Sequence, residues 1–246
     1  MRLDRAVFRA FQILEAVSRA RDPVRLSSIA AELELQKSTV HRILQTLGAM
    51  GYVIQEPSTG RYQATLKSWE LGSAVLDAHP VKRAAAPFLE ELHRETGETV
   101  SMLVRDGDDV LYVDKIISPR PVRFTTRAGS RVPAILTAGG QAMVALEPDA
   151  RAIVERTASR LVGVREIDVE TVLAALETVR GRGYAVSRNN PEVVSIGGAI
   201  LGENGRAAGA LSVSAPLERT DADKQAAIIE SVRMVCTRMA ETLGRL

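Results

Sequence analysis

The sequence lacks the features that define several protein classes. Cysteine occurs once in 246 residues, so the chain can form neither an intrachain disulfide nor a zinc site built from several cysteines. No apolar run approaches the roughly 20 residues that span a bilayer, and the charged, amphipathic N-terminal segment has no apolar core typical of a signal peptide. These absences predict a protein of the cytoplasm, a reducing compartment, with no membrane partner.

The common motifs of enzymes and metal sites are also missing. The three histidines, His41, His79 and His93, do not have the spacing of a metal-ligand motif. The glycines form neither a Walker phosphate loop nor a dinucleotide-binding motif, and no Gly-x-Ser-x-Gly nucleophile elbow is present. The lone Cys236 lies in an apolar helical pattern, which favours a small buried side chain over a reactive thiol. We therefore predict no catalytic residue, no metal and no cofactor; an enzyme without these motifs is the remaining alternative.

Length and charge indicate two unequal domains. A chain of 246 residues exceeds the roughly 100 to 200 residues typical of one domain, and its 46% hydrophobic content argues against disorder. The formal net charge is +2, yet residues 1–67 hold ten Lys and Arg against six Asp and Glu, which leaves the rest of the chain at −2. A positive excess in the N-terminal part fits contact with phosphate groups, although such an excess is also common in other domains.

The N-terminal part has the pattern of three helices followed by a hairpin. Apolar spacing predicts one helix over 3–20, a second that starts near Ser27 or Ser28 and runs to Leu33, and a third over 37–50 that is closed by Gly51. The first helix is expected to bury an apolar stripe that consists of Leu3, Val7, Phe11, Leu14 and Val17. Strands at Tyr52–Ile54 and Arg61–Gln63 flank a Pro-Ser-Thr-Gly turn. This order predicts a winged helix-turn-helix, a DNA-binding motif.

The third predicted helix has two unlike faces. Its apolar stripe consists of Val40, Ile43, Leu44 and Leu47, and its groove-facing candidates are Ser38, Thr39, His41, Arg42 and Gln45. Arginine can bind guanine through two hydrogen bonds, glutamine can pair with adenine, and hydroxyls near a helix N-terminus suit phosphate. The alternative is a solvated helix face without a partner. Arg25 and Arg61 are candidates for phosphate or minor-groove contacts, or else ordinary surface charges.

From Pro80 onward the pattern changes to antiparallel strands and helices. After a predicted helix over 66–76, predicted helices cover 80–97, 141–146, 168–182 and 221–243, and predicted strands cover 98–105, 110–117, 122–126, 193–201 and 207–215. The turns at Gly107-Asp108 and Asn204-Gly205 indicate two hairpins. The fold class is therefore α+β, with an antiparallel sheet and helical layers after the winged helix-turn-helix. The expected domains are a DNA-binding domain over 1–65, a linker helix over 66–79 and a larger domain over 80–246.

Nine segments resemble, in their order and spacing, the isocitrate lyase regulator (IclR) family of bacterial transcription factors. They are Leu26–Ala30, Lys37–Leu44, Gly51–Val53, Gly60–Tyr62, Glu90–Leu92, Glu95–Ser101, Tyr112–Ile116, Arg182–Ala185 and Ala210–Pro216, and the likeness covers residues 5–243. The resemblance implies a repressor, or else an activator, that binds a double-stranded DNA operator as a homodimer or homotetramer. It also implies that the domain at 80–246 binds a small-molecule effector and is a GAF/PAS-like α/β sandwich.

The resemblance further implies where the effector binds. The matching residues are Thr137, Ala138, Gly139 and Gly140, in the family's Thr-Ala-x-Gly segment, and the strand residues Ser195, Ser212 and Ser214. Hydroxyls in an apolar cavity suit a small polar, carboxylate or aromatic ligand. Two alternatives stay open: hydroxyls that only bond to one another across strands, and a C-terminal domain that serves only oligomerisation.

Three features depart from the family pattern. Ser195 stands where many members have cysteine. Gly197 and Gly198 remove side-chain volume from the expected pocket wall, which predicts either a larger pocket or the close approach of a ligand or another backbone. Residues 187–192 are expected to form a shortened loop, in which Arg188 either pairs with a carboxylate effector or is exposed.

Overall fold

The structure, a computed structural model, describes residues 3–202 and 205–244. It divides into two units, Met1–Leu76 and Asp77–Leu246, and each has a hydrophobic core of its own. Within the described residues, no helix is both long enough and apolar enough to cross a membrane.

The first unit contains helices and one short hairpin. Its elements are α1 (Arg5–Arg19), α2 (Leu26–Glu32), α3 (Lys37–Ala49), β1 (Val53–Gln55), β2 (Tyr62–Ala64) and α4 (Lys67–Asp77). Asp4 caps α1, because its carboxylate accepts hydrogen bonds from the backbone N–H groups of Ala6 and Val7. Three helices followed by the β1–β2 hairpin confirm the predicted winged helix-turn-helix.

The core of this unit lies between α1, α2 and α3. Its largest fully buried side chains are Ile13, Ile29 and Leu44. The apolar stripe predicted for α1 is wrong in its phase: Val17 is buried, but Val7 and Phe11 are 54% and 60% exposed. The physical reason is that α1 carries apolar residues on two sides, and local spacing alone does not tell which side meets the other helices.

Two short connections attach α3 and the hairpin to the rest of the unit. Glu34, between α2 and α3, has a φ of 54°, in the left-handed region that costs a non-glycine residue about 1–2 kcal/mol. Val24, between α1 and α2, pairs with Tyr62 of β2 through two backbone hydrogen bonds of 2.8 Å. The hairpin is therefore held by the backbone that connects the first two helices.

The second unit is an antiparallel sheet with helices on both faces. Its elements are α5 (Pro80–Thr96), β3 (Thr99–Asp106), β4 (Asp109–Ile116), β5 (Arg131–Pro133), α6 (Ala138–Val144), α7 (Ala150–Leu161), α8 (Val169–Arg182), β6 (Ala185–Asn190), β7 (Val193–Leu201), β8 (Ala207–Pro216) and α9 (Ala222–Leu243). The strand order is β5-β4-β3-β8-β7-β6. Helices α5 and α9 cover one face, and α6, backed by α7 and α8, covers the other. The predicted α+β class is confirmed.

Several details of this unit differ from the expectation. Residues 122–126 form no strand, and Arg131–Pro133 pairs with the edge of β4 instead. Most of the predicted loop over 187–192 lies in the edge strand β6, because an edge strand can carry polar residues on both sides as a loop does. Helix α7 was not predicted. In the predicted turn at Asn204-Gly205, Asn204 lies outside the described residues.

Candidate DNA-binding and effector sites

Helix α3 has one buried and one exposed face. The predicted apolar stripe is buried in the core of the first unit. Four of the predicted groove-facing side chains are exposed on the opposite side: Ser38, His41, Arg42 and Gln45. Their side chains make no hydrogen bond or ion pair with a described residue. Thr39 is half-buried at the border between the two faces.

This exposed face has the chemistry of groove readout. Within two helical turns it presents a guanidinium, an imidazole, an amide and a hydroxyl, which together can donate to and accept from base edges. The major groove of B-DNA is about 12 Å wide and admits an α-helix. Because the opposite stripe is fully packed, these four side chains are supported by a rigid helix.

Three arginines line one recess beside the hairpin. Arg25 and Arg61, which were predicted to contact phosphate or the minor groove or else to be ordinary surface charges, share this recess of about 470 Å³ with Arg21. Ser28 also lines it, and Asp22 is its one carboxylate. The recess has an excess positive charge that suits a backbone phosphate. Arg21 was missed because its proximity to Arg61 depends on the pairing of the α1–α2 connection with β2.

One face of the sheet in the second unit carries rows of hydroxyl groups, and we call it the hydroxyl face. Residues directly opposite each other in antiparallel strands point to the same side of a sheet. The strand registers therefore give a first row, which consists of Ser187, Ser195, Ser214 and Thr99. They give a second row, which consists of Ala185, Gly197, Ser212, Ser101 and Lys115.

Helix α6 approaches the hydroxyl face closely because Gly197 has no side chain. A Cβ atom at Gly197 would lie 2.4 Å from the backbone nitrogen of Gly139 and 2.5 Å from the carbonyl carbon of Ala138. Thr137 caps this helix, since its Oγ1 accepts a hydrogen bond of 3.0 Å from the backbone N–H of Gly140. The segment 137–140 and the three serines predicted from the family resemblance thus lie on or against one face.

The expectation of a larger pocket is wrong at both glycines. Gly197 is met by the backbone of α6, and a Cβ at Gly198 would lie 2.9 Å from Cys236 Sγ on the other side of the sheet. Protein atoms fill the space, so the alternative of close approach by another backbone is correct for Gly197. Arg188 is exposed and donates to Gln225 Oε1 at 2.8 Å. It points away from the hydroxyl face, because successive strand residues alternate between faces.

Hydroxyls of the first row already have partners. The Ser195 and Ser214 oxygens lie 2.9 Å apart and share a hydrogen bond. Thr99 Oγ1 accepts a hydrogen bond of 3.1 Å from the backbone N–H of Ser118. This row matches the alternative in which serine hydroxyls bond across strands.

Two functional candidates of the second row were missed from the sequence, Ser101 and Lys115. Ser101 and Ser212 are buried, and their hydroxyls have no hydrogen-bond partner among the described residues. Lys115 is half-buried, and its Nζ donates to Thr125 Oγ1 at 3.1 Å and to the carbonyl of Thr126. The only local signal was the position of Ser101 within a predicted strand, because its neighbours are set by register.

A fully buried carboxylate lies at the N-terminal end of β3. Glu98 accepts hydrogen bonds from Arg120 at 2.8 Å, from Lys224 at 2.7 Å and, through both oxygens, from Arg219 at 2.9 and 2.6 Å. Burial acts to raise the pKa of Glu98, but the hydrogen bonds and charges of Arg219 and Lys224 outweigh it and hold this pKa below its ordinary value. Arg219 also donates to the Val122 carbonyl at 2.6 Å. The cluster therefore connects the segment after β4 with the start of β3.

The single thiol is inert in this environment. Cys236 is buried in α9, and burial raises the pKa of its thiol to about 12. Its predicted role as a small buried side chain is confirmed, since a nucleophile must reach the thiolate form. In the ranges 3–202 and 205–244, no three His, Cys, Asp or Glu side chains cluster as a metal site would require.

Both units match models of one protein family, and relatives match the chain over most of its length. Residues 6–57 match the IclR helix-turn-helix domain, and residues 73–240 match the bacterial transcriptional regulator IclR C-terminal domain. The glycerol operon regulatory protein of Streptomyces griseus is 30% identical over 241 residues, which cover 96% of this chain and 95% of the relative. The HTH-type transcriptional regulator XynR of Escherichia coli K12 is 28% identical and covers 99% of each chain. The transcriptional repressor AllR of the same organism is 28% identical over 97% of this chain and 90% of its own.

Solved structures share the fold over nearly the whole chain. The IclR transcriptional regulator from Alicyclobacillus acidocaldarius superposes with a TM-score of 0.82 at 22% identity and covers 99% of this chain and 100% of its own. An IclR homolog from Microbacterium hydrocarbonoxydans, complexed with 4-hydroxybenzoate, gives a TM-score of 0.81 at 22% identity over 98% and 99% of the two chains. The polar face of α3 is exposed, and the family matches span both units. The chain is therefore a member of the IclR family, a DNA-binding transcriptional regulator and not an enzyme.

Proposed function

We propose that α3 lies in the major groove of a double-stranded operator and reads base edges with its exposed face. The side chains assigned to base edges are Ser38, His41, Arg42 and Gln45, and those assigned to the DNA backbone are Thr39, Arg21, Arg25 and Arg61. The observation that carries the proposal is the contrast on α3 between a buried apolar stripe and polar side chains that have no partner in the described part of the chain. Residues 1–65 form the DNA-binding domain, 66–79 the linker helix and 80–246 the effector domain.

The protein acts in the cytoplasm as a repressor that leaves its operator when a small organic effector, a carboxylate or an aromatic compound, binds at the hydroxyl face. Repression is supported by the named role of the relative AllR. The effector class is supported by the 4-hydroxybenzoate bound to the Microbacterium homolog, and by the buried hydroxyls next to α6. The residues assigned to the effector are Thr137, Ala138, Gly139, Gly140, Ser195, Ser212 and Ser214.

A C-terminal domain that serves only oligomerisation is the competing function. It is favoured by the mutual hydrogen bond of Ser195 and Ser214, which leaves these two hydroxyls satisfied without a ligand. A thermal-shift screen of aromatic acids, sugar acids and small carboxylates separates the two functions, because a ligand that binds only the folded state raises the Tm. We expect at least one acid to raise the Tm and to release the operator; no response across the screen would favour the oligomerisation function.

Arg42→Ala is expected to weaken operator binding by about 1–3 kcal/mol, because the guanidinium can form two hydrogen bonds to a guanine edge. The operator is first selected with the wild-type protein from a pool of random duplexes. Affinity for the selected duplex is then measured by fluorescence anisotropy at one fixed salt concentration, since salt changes all such affinities.

Arg94→Ala provides the matched control for this experiment. Arg94 is exposed on α5 in the other unit, so its removal subtracts the same charge without touching α3. We expect the Arg94→Ala protein to bind the operator as wild type does. Equal affinity of the Arg42→Ala protein would remove Arg42 from the interface, and a wild-type protein that enriches no sequence would refute base readout altogether.

The operator-binding species is a homodimer or a homotetramer whose subunits meet through α1 and α4. Helix α4 has 11 residues and none of them is buried, and an isolated helix of this length is marginal in water. Large apolar side chains on and next to these two helices are between 52% and 75% exposed: Val7, Phe8, Phe11, Leu66, Trp69, Leu71 and Val75. Large apolar side chains exposed in this number indicate a protein interface, and two-fold pairing presents two copies of α3 to a two-fold operator.

The double variant Phe11→Glu, Trp69→Glu is expected to be a monomer of 26.6 kDa, because the buried carboxylates would oppose association. Size-exclusion chromatography with light scattering measures the mass, and the wild-type mass distinguishes dimer from tetramer. Val164→Glu, at a position that is 83% exposed in the other unit, should keep the wild-type mass. If the double variant also keeps it, the assembly does not use these helices.

A further inference from the structure

We infer that Lys115 binds the carboxylate group of the effector, with Ser101 and Ser212 as its hydrogen-bonding neighbours, and so makes the site selective for organic acids. The inference rests on the proposed effector role of the hydroxyl face. None of the family-derived effector residues carries a charge, so Lys115 adds the recognition element that they lack.

The three side chains lie side by side across three strands. Lys115 of β4 is directly opposite Ser101 of β3, and Ser101 is directly opposite Ser212 of β8. Neighbouring strands are about 4.7–4.9 Å apart, so the three positions span about 10 Å. This span fits the carboxylate of a small acid together with a polar group next to it.

The hydroxyls of Ser101 and Ser212 are available to a ligand. Their residues are 3% and 4% exposed, and neither hydroxyl has a hydrogen-bond partner among the described residues. In the first row, by contrast, Ser195 and Ser214 satisfy each other. The fully buried side-chain oxygens without a partner do not include Ser101 Oγ or Ser212 Oγ, so both oxygens reach accessible space. Two adjacent hydroxyls that open onto this space without a protein partner among the described residues can donate to and accept from a ligand.

The charge of Lys115 is also uncompensated. Among the described residues, its ammonium group donates only to neutral oxygens, those of Thr125 and Thr126. The nearby carboxylate of Asp114 belongs to the opposite face, where it pairs with Lys82. A half-buried ammonium without an anionic partner in the described part of the chain favours an anion from outside.

The number of charges selects the chemical class of the ligand. The second row contains one cation and no carboxylate, because its other members are alanine, glycine and two serines. A monocarboxylate balances one ammonium, whereas a phosphate dianion needs a second cation. A neutral amide of the same shape forms hydrogen bonds but no ion pair, so it should bind more weakly.

The test uses acids and their primary amides as matched pairs. The probes are 4-hydroxybenzoate, benzoate, pyruvate and lactate, each compared with its amide at millimolar concentration in a thermal-shift assay, with Kd measured by titration calorimetry for every acid that shifts the Tm. We expect the acid to bind at least about tenfold more tightly than its amide. Lys115→Met should lose this preference, and Lys115→Arg should restore part of it.

Lys37→Met, at an exposed position of α3, removes the same charge from the other unit and should keep the preference for acids. Circular dichroism and urea unfolding verify that each variant is folded. Acid and amide of equal affinity, an unchanged Kd for Lys115→Met, or no binding by any acid would overturn the inference. Acid binding that survives Lys115→Met but is lost in Ser212→Val would overturn the role of Lys115 alone and leave the proposed effector face in place.

Discussion

Glu98→Gln should lower the free energy of unfolding of the second unit by about 3 kcal/mol or more at neutral pH. The carboxylate is fully buried, and it accepts hydrogen bonds from Arg120, Arg219 and Lys224. An amide of the same shape removes the negative charge, leaves three cations around a neutral group and turns an N–H donor toward other donors. Urea unfolding followed by circular dichroism measures the loss.

The loss should depend on pH in one direction only. In the folded chain the pKa of Glu98 lies below its ordinary value of 4.5. A carboxylate with a lowered folded-state pKa contributes its full stabilisation above the unfolded-state pKa and loses it as the pH falls through the folded-state pKa. The difference between wild type and Glu98→Gln should therefore be constant from about pH 6 to 8 and shrink below about pH 4.5.

Glu170→Gln is the matched control for charge removal. Glu170 forms an ion pair of 2.8 Å with Arg151, and both side chains are more than half exposed. Because solvent screens such pairs, the unfolding midpoint should stay near that of wild type. A Glu98 variant as stable as this control, or a loss equally large at pH 4 and pH 7, would show that the buried cluster does not stabilise the unit through its charge.

Features of the protein that depend on local chemistry could be predicted from the sequence. The four apolar residues of α3 recur at helical spacing, and the polar residues between them are exposed as expected. Helix α8 begins after its cap Asp168 and ends at Gly183, whose φ of 79° suits glycine. In each case the signal lies within a few residues of the feature, so no knowledge of distant contacts is required.

Lys115 shows why the proposed effector site could not be predicted completely from the sequence. Tyr112 and Lys115 both point to the hydroxyl face, although simple alternation would place residues three apart on opposite faces. A β-bulge between the pairs Met102↔Asp114 and Leu103↔Tyr112 adds one residue to β4 and reverses the alternation. The bulge is a property of the strand pairing, and no residue type in this stretch predicts it.

The buried side of α1 was predicted wrongly for the same kind of reason, since it depends on contacts with distant residues. Val7 and Phe11 have the spacing of a core stripe, but the side of α1 that meets α2 and α3 carries Ile13 and Val17. Because α1 is apolar on two sides, its sequence is consistent with one side that packs in the core and another that packs against a second partner. What local spacing could not resolve is thus the same surface that we assign to the subunit interface.

Gly197→Ala should destabilise the second unit by about 3 kcal/mol and weaken effector binding, because the new methyl group would collide with backbone rather than side chains. The Cβ position lies 2.4 Å from the Gly139 nitrogen and 2.5 Å from the Ala138 carbonyl carbon, far inside contact distance. The first turn of α6 must move away from the sheet, which separates the Thr137 cap from the second row. Urea unfolding measures the loss of stability, and titration with an acid that binds wild type measures the site.

Two other glycines provide graded controls for this prediction. At Gly198 the nearest atoms to a new Cβ are the side-chain atoms Cys236 Sγ at 2.9 Å and Val232 Cγ1 at 3.0 Å, which can shift, so we expect a loss of about 1 kcal/mol. At Gly181, in the last turn of α8, a new Cβ would meet no described atom within 4 Å apart from its chain neighbours and the backbone of its own helix, so alanine should cause no loss and favours the helix. Stability should therefore fall in the order Gly181→Ala, Gly198→Ala, Gly197→Ala.

The comparison of the two adjacent glycines decides whether α6 is rigidly placed on the hydroxyl face. Gly197 and Gly198 share the same strand and nearly the same burial, so they differ chiefly in whether backbone or side chains oppose a methyl group. Equal losses of unfolding free energy at both positions would mean that moving α6 away from the sheet costs no more than a shift of the Cys236 side chain. The geometry of the proposed effector site would then depend on the strands alone, which would argue against a role of the Thr137–Gly140 segment in ligand recognition.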